Sequence, residues 1–184
     1  LSGFSEDVVL RFGTLDLVRG DWRTYTQTLE GTDDPSDDGT DFESGAVNTQ
    51  ENSNYVLPPG IDVEELYNNN TVLRQNEQSL LLRVKDLEAN DSRAVYKGIN
   101  IDMLQFKKMR MFMHAEPYVS GASLGDRDLS GFIRMGSDLV QNYYQIEMPL
   151  IASSGTSNSP REVWPEDNEL DIQLSVLKRI KAAF

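Results

Sequence analysis

The sequence predicts a mainly β protein: an antiparallel β-sandwich of jelly-roll type closed by a short C-terminal helix. Three observations carry that expectation. Apolar residues recur with period two through most of the chain, which is the period of a half-buried strand. Helical spacing is confined to two short stretches. The connections between strands are long and irregular, which suits a jelly roll better than a meander of tight hairpins. No segment repeats at the spacing of a solenoid or propeller.

The elements follow in order. Residues 8–18 (VVLRFGTLDLV) and 22–29 (WRTYTQTL) read as two strands joined by Arg19-Gly20-Asp21 as a tight turn. Residues 30–54 read as an acidic, mobile linker. The stretch 30–45 holds seven acids and no bases, more than half of the net charge of −13. So few apolar groups give it nothing to bury against the entropy of ordering. Asn54–Ile61 (NYVLPPGI) is stiff and extended, because consecutive prolines favour polyproline II. IDVEELY at 61–67 has the spacing for one or two helical turns.

Further strands are read from alternation, with the first set of each pair facing inward. Leu80, Leu82 and Val84 alternate with Leu81, Arg83 and Lys85, and Met109, Met111 and Met113 with Arg110, Phe112 and His114. Leu129–Met135 adds one more. Tyr144, Ile146 and Met148 alternate with Tyr143, Gln145 and Glu147, and Leu170, Ile172 and Leu174 with Glu169, Asp171 and Gln173. The tail 175–184 reads as a helix with Val176, Leu177, Ile180 and Phe184 on one side. The chain is therefore expected to be one domain over 1–184, with a strand pair in 1–29, the linker at 30–54 and the main body at 55–184.

Composition excludes several functions. Nucleic acid is not an expected partner, since binding it relies on Lys and Arg, and here 17 of them face 30 acids. Zero cysteines remove thiol nucleophiles, disulfides and Cys-ligated metal centres together. No apolar run approaches the ~18 residues of a spanning helix. Opening on Leu-Ser-Gly with no basic or apolar leader, the chain reads as a fragment of a longer protein.

The remaining lookalikes for chemistry are weak. Gly121-Ala122-Ser123-Leu124-Gly125 spells a nucleophile elbow, but a loop rather than a helix follows it. The one histidine, His114, precedes that serine and reads as a sheet residue beside a carboxylate. Asp34 and Asp38 lie in DPSDDG, which resembles the start of a calcium loop. Its twelfth position is Gly45 rather than Glu, so a solvated linker is the better reading. Asp126 and Asp128 are further candidates for Ca²⁺, and no other cofactor is implied. Asn69-Asn70-Thr71 and Asn90-Asp91-Ser92 match glycosylation sequons.

Several segments together carry a resemblance. VRGDWRTY, NYVLPPGI, NEQSLLLRV, DSRAVYKGINIDM, KKMRMFMHAE and FIRMGSD with NYYQIEMPL occur in this order. They look like the SprA family (Sov in oral relatives) of Bacteroidetes, very large envelope proteins of gliding motility and type IX secretion. The resemblance runs from about residue 9 to 180. It implies an outer-membrane β-barrel translocon with folded regions inserted between barrel strands, of which this chain would be one. It further implies a cell-envelope location, no enzymatic activity, and partners among the secretion apparatus and its cargo.

The first expectation is thus a structural and interaction domain that packs on other domains of the same polypeptide. Trp22, Tyr25, Tyr118, Tyr143 and Trp164 are its candidate contact residues, with Phe112 and the 55–61 segment beside them. A carbohydrate-binding jelly roll is the alternative, using Tyr118, Tyr143 and Trp164 as stacking platforms. A hydrolase acting through Ser123 is a third.

Overall fold

The computed structural model describes residues 22–27, 29, 39–63, 65–68, 71–119 and 121–183. The described strands are β1 (Arg23–Thr24), β2 (Asp41–Asn48), β3 (Glu65–Asn68), β4 (Thr71–Arg74) and β5 (Gln78–Lys85). They continue with β6 (Val95–Tyr96), β7 (Lys108–Phe112), β8 (Ser130–Gly136), β9 (Tyr143–Pro149) and β10 (Glu169–Gln173). Helix α1 (Pro160–Val163) precedes β10, and helix α2 (Ser175–Ala183) follows it.

The strands pair two by two, all antiparallel: β1 with β6, β2 with β5, β3 with β4, β7 with β10 and β8 with β9. The mainly β character and the C-terminal helix are as expected. The closed jelly roll is not found, because among the described residues no sheet exceeds two strands. Alternation in a sequence fixes which residues share a strand face, but not which edges pair. A two-stranded ribbon is marginal by itself in water, so each ribbon depends on what covers it.

Three local expectations are corrected. The acidic linker contains a strand: Asp41–Asn48 pairs along its whole length with Gln78–Lys85. The register explains why the acids are tolerated. It sets Asp41 opposite Lys85 and Glu43 opposite Arg83, and the Glu43 and Arg83 side chains meet at 3.1 Å. Residues 30–38 lie outside the described set. The helical turn expected at 61–67 is instead the start of a hairpin, with Glu65–Asn68 pairing to Thr71–Arg74. Seven residues cannot recover the cost of helix nucleation, whereas a facing strand supplies partners at once.

The third correction concerns β5, where Leu80 and Leu82 face outward while Val84 stays half-buried as expected. Leu80 and Leu82 are 39% and 45% exposed, while Ser79, Leu81, Arg83 and Val84 are half-buried. Polar contacts hold the face of Ser79 and Arg83 down. The Tyr55 hydroxyl and Ser79 Oγ lie 2.6 Å apart, and the Arg83 guanidinium sits 5.1 Å from the Tyr118 ring centre. Of the N-terminal strand pair, 8–18 and the Arg19-Gly20-Asp21 turn lie outside the described residues. Among the described residues of 22–29 only Arg23–Thr24 is strand, paired to Val95–Tyr96.

The alternation expected for β7, β9 and β10 holds at their inward positions. Leu170 and Leu174 are buried and Ile172 half-buried, against exposed Asp171 and Gln173. Pro160 opens α1 at a position where its missing N–H costs nothing. The buried core among the described residues is thin. It comprises Ala115, Val163, Trp164, Leu170 and Leu174, all on or beside β7, α1 and β10.

Candidate interaction surface

That core is organised by two side chains between α1 and β10. Trp164 is 7% exposed, and its indole Nε1–H donates to the Val56 carbonyl at 2.8 Å. The Tyr55 and His114 rings meet it edge-on, with centres 6.5 and 5.8 Å away. Burial raises the Tyr55 phenol above its ordinary pKa, more than its bond to Ser79 lowers it. Asn168, the fully buried residue of the 3₁₀ turn Glu166–Asn168, acts as a strand in miniature. Its Oδ1 accepts from Ile151 N–H at 2.7 Å, and its Nδ2 donates to the Ile151 carbonyl at 2.8 Å. Its own carbonyl accepts from Met113 N–H at 3.2 Å, so one residue joins β7 to the chain after β9. Ser153 completes the joint, because its N–H donates to the Ala115 carbonyl at 2.7 Å.

The charged face of the β7–β10 ribbon is equally tied. Glu169 accepts from both Arg110 and Arg161, the latter at 3.1 Å. The hydrogen bond from Arg110, and then that from Arg161, holds its carboxyl below the usual carboxylate range. Lys108 and Asp171 form a second pair on the ribbon at 2.5 Å.

The sites read from sequence fall apart in space. Ser123 is exposed in an irregular loop, and no helix follows it. His114 is half-buried, with Nδ1 bonded to the Val163 carbonyl at 2.7 Å and Nε2 3.6 Å from Glu116. Asp128 spends a carboxylate oxygen on Gly125 N–H at 2.7 Å, and Asp126 on Ala152 N–H at 3.0 Å. Asp34 and Asp38 lie outside the described residues. Among the described residues no group of three or more His, Asp or Glu is placed to hold a metal ion. Asn90 sits at an exposed turn with φ +68°, whereas Asn69 and Asn70 are not described.

The aromatic candidates divide. Trp22 is 47% and Tyr118 63% exposed, so both present rings to solvent. Tyr25 meets Tyr96 edge-on, and Tyr143 lies under the Arg134 guanidinium at 4.0 Å. Trp164 is a core residue, which removes it as a surface platform. Sequence reasoning missed other exposed apolar groups: Ile99, Ile101 and Phe106 around one 3₁₀ turn, and Leu80 and Leu82 on β5. Ile99 and Ile101 alternate within GINID, a signal that was present in the sequence. The phase of β5 had no such signal.

A groove of about 480 Å³ runs between β9 and β10. Tyr143–Ile146 form one wall, Asp171–Gln173 the other, and Val176, Leu177 and Ile180 of α2 the remaining side. Its surface is mainly apolar. No helix among the described residues is long and apolar enough to cross a membrane.

Among the described residues the chain thus combines a thin core, ribbons paired two by two, exposed apolar side chains and hydrogen-bonded buried polar groups. The chain belongs to the SprA N-terminal family, described as motility related/secretion protein, which it matches over residues 1–183. No curated protein matches it.

Proposed function

We propose that this chain is a non-catalytic structural and interaction domain of a large cell-envelope protein serving motility and type IX secretion at the outer membrane. The family match over residues 1–183 carries the reading. The surface supports it: Ile99, Ile101, Phe106, Val119 and Val140 are each at least half exposed, apolar groups available for a neighbouring domain to cover. The partners are other domains of the same polypeptide, together with apparatus proteins that pass cargo. No cofactor takes part. The glycan reading loses one of its three rings with the burial of Trp164, and among the described residues Tyr118 and Tyr143 make no ring contact with each other.

The test is an in-frame deletion of this domain within the full-length protein, in cells, with the protein level followed by immunoblot. Loss of cargo secretion and gliding at unchanged protein level is the expected result. Ser123→Ala and His114→Ala in the same protein should leave both intact. Undiminished secretion after the deletion overturns the proposal, as does loss of function from Ser123→Ala in a folded, normally abundant protein.

A further inference from the structure

We infer that the groove between β9 and β10 receives an extended, acidic strand from a partner polypeptide. This rests on the reading of the chain as an interaction domain, and it names the contact and its chemistry.

Strand geometry comes first. Successive side chains of a strand point to opposite faces. A groove lined by consecutive residues on both walls, 143–146 and 171–173, therefore runs along strand edges rather than across a sheet face. The ladder shows which backbone groups reach it. Leu174 N–H bonds to the Lys107 carbonyl at 3.0 Å and Met113 N–H to the Asn168 carbonyl at 3.2 Å. With the β7–β10 register, these bonds turn the backbone of Leu170 and Ile172 toward β7. Asp171 and Gln173 turn theirs the other way, along the groove. Among the described residues neither of those outward N–H groups is bonded and β10 has no strand partner on that edge. An open edge beside an apolar floor is the arrangement that captures an added strand.

Helix α2 supplies the floor, and two of its cations flank the groove without lining it. At about 100° per residue, Val176, Leu177 and Ile180 share one face, with Arg179 and Lys181 on its two shoulders. Both cations are exposed, and they stand on a chain whose net charge is −13. The one acid in the groove lining, Asp171, is already paired with Lys108 at 2.5 Å. The occupant that fits bonds to the edge of β10, lays alternate apolar side chains on α2, and meets Arg179 and Lys181 with carboxylates.

Binding of labelled ten-residue peptides to the 184-residue chain, read by fluorescence anisotropy, tests this. The probes alternate Val with Glu, alternate Val with Lys, or repeat the first with alternate amides N-methylated. The Val/Glu peptide should bind, and the other two at least about tenfold more weakly. The double variant Arg179→Glu, Lys181→Glu should lose the Val/Glu peptide while its circular dichroism is unchanged. Absence of Val/Glu binding overturns the inference, as does binding indifferent to the double variant or to N-methylation. Two further outcomes assign the groove elsewhere and equally overturn it. One is a concentration-dependent dimer in sedimentation that the double variant abolishes. The other is preferred binding of a peptide copying residues 8–18. Failure here, with secretion still lost on deletion of the domain, removes the groove and leaves the domain's interaction role standing.

Discussion

Asn168 closes on Ile151 as a second strand would, accepting from its N–H at 2.7 Å and donating to its carbonyl at 2.8 Å. Asn168 is fully buried and Ile151 half-buried, so the amide itself has no water to replace these partners. Removing the amide leaves the Ile151 donor and acceptor without partners. An orphaned buried polar group costs about 1–3 kcal/mol. Asn168→Ala and Asn168→Leu should therefore each destabilise by several kcal/mol in urea unfolding. Asn168→Asp makes the prediction specific, because it keeps the acceptor but sets a carboxylate oxygen against the Ile151 carbonyl. That variant should be weakest at neutral pH and regain stability in acid, as protonation restores a donor. A pH-independent loss equal to that of Asn168→Ala would contradict the arrangement.

Trp164 ties the 55–61 segment to the core through one hydrogen bond to Val56 and one ring contact with Tyr55. Trp164→Phe keeps most of the buried area but loses the donor to the Val56 carbonyl, at a cost of about 1 kcal/mol. Trp164→Ala empties a buried site and should cost about 3–5 kcal/mol. Limited proteolysis gives a local readout: cleavage near Tyr55–Leu57 should accelerate in both variants, and more in Trp164→Ala. Cleavage confined to other segments would show that the indole does not hold this one.

Part of the strand set was legible from residue spacing, β2 to β4 and β6 were not, and no partner was. Period two located β5 and β7 to β10, and the spacing of Val176, Leu177 and Ile180 located α2. Partner choice depends on edges, and edges leave no trace in alternation. The acids of 41–43 read as linker because their neutralising partners, Arg83 and Lys85, stand about forty residues away in sequence. The phase of β5 was missed for a related reason, since Ser79 is drawn inward by a tyrosine from a different segment. Asn168, inside WPEDNEL, carries the signature of an ordinary turn, and only its burial between two chains makes it structural. The groove was invisible because it exists only where β9, β10 and α2 come together.

Glu169, held by Arg110 and Arg161, gives the ribbon an acid-sensitive fastening. Its carboxyl titrates below the usual range in the folded protein, so the unfolded state binds the proton more readily. The stabilisation is present above the ordinary carboxylate pKa and is lost as pH falls through the lower folded value. Glu169→Gln should lower the unfolding midpoint by a few degrees at pH 7, with the gap to the parent closing in acid. The exposed arginines limit the size of the effect through solvent and salt screening. A gap that widens on acidification would reverse the assignment.

The β8–β9 turn combines a steric requirement with an electrostatic one, and acid separates them. At Gly136 a Cβ would lie 2.0 Å from the Asn142 carbonyl oxygen, which is backbone and cannot swing aside. Gly136→Ala must therefore open the turn, at a cost of about 1–3 kcal/mol. Asp138, two residues on, gathers the turn's donors. One carboxylate oxygen accepts from the N–H groups of Val140 at 3.0 Å, Gln141 at 2.5 Å and Asn142 at 3.1 Å, the other from Asn142 Nδ2 at 2.7 Å. These bonds, led by the one from Gln141, hold its carboxyl far below the usual range. Its contribution is complete above the ordinary carboxylate pKa and falls away as pH drops toward the depressed folded value. Asp138→Ala should thus show its full defect at pH 7 and a shrinking one in acid, while the Gly136→Ala defect stays constant with pH. Amide exchange on Val140, Gln141 and Asn142 should quicken in both variants at pH 7. Two defects with the same pH profile would mean that the carboxylate does not organise the turn.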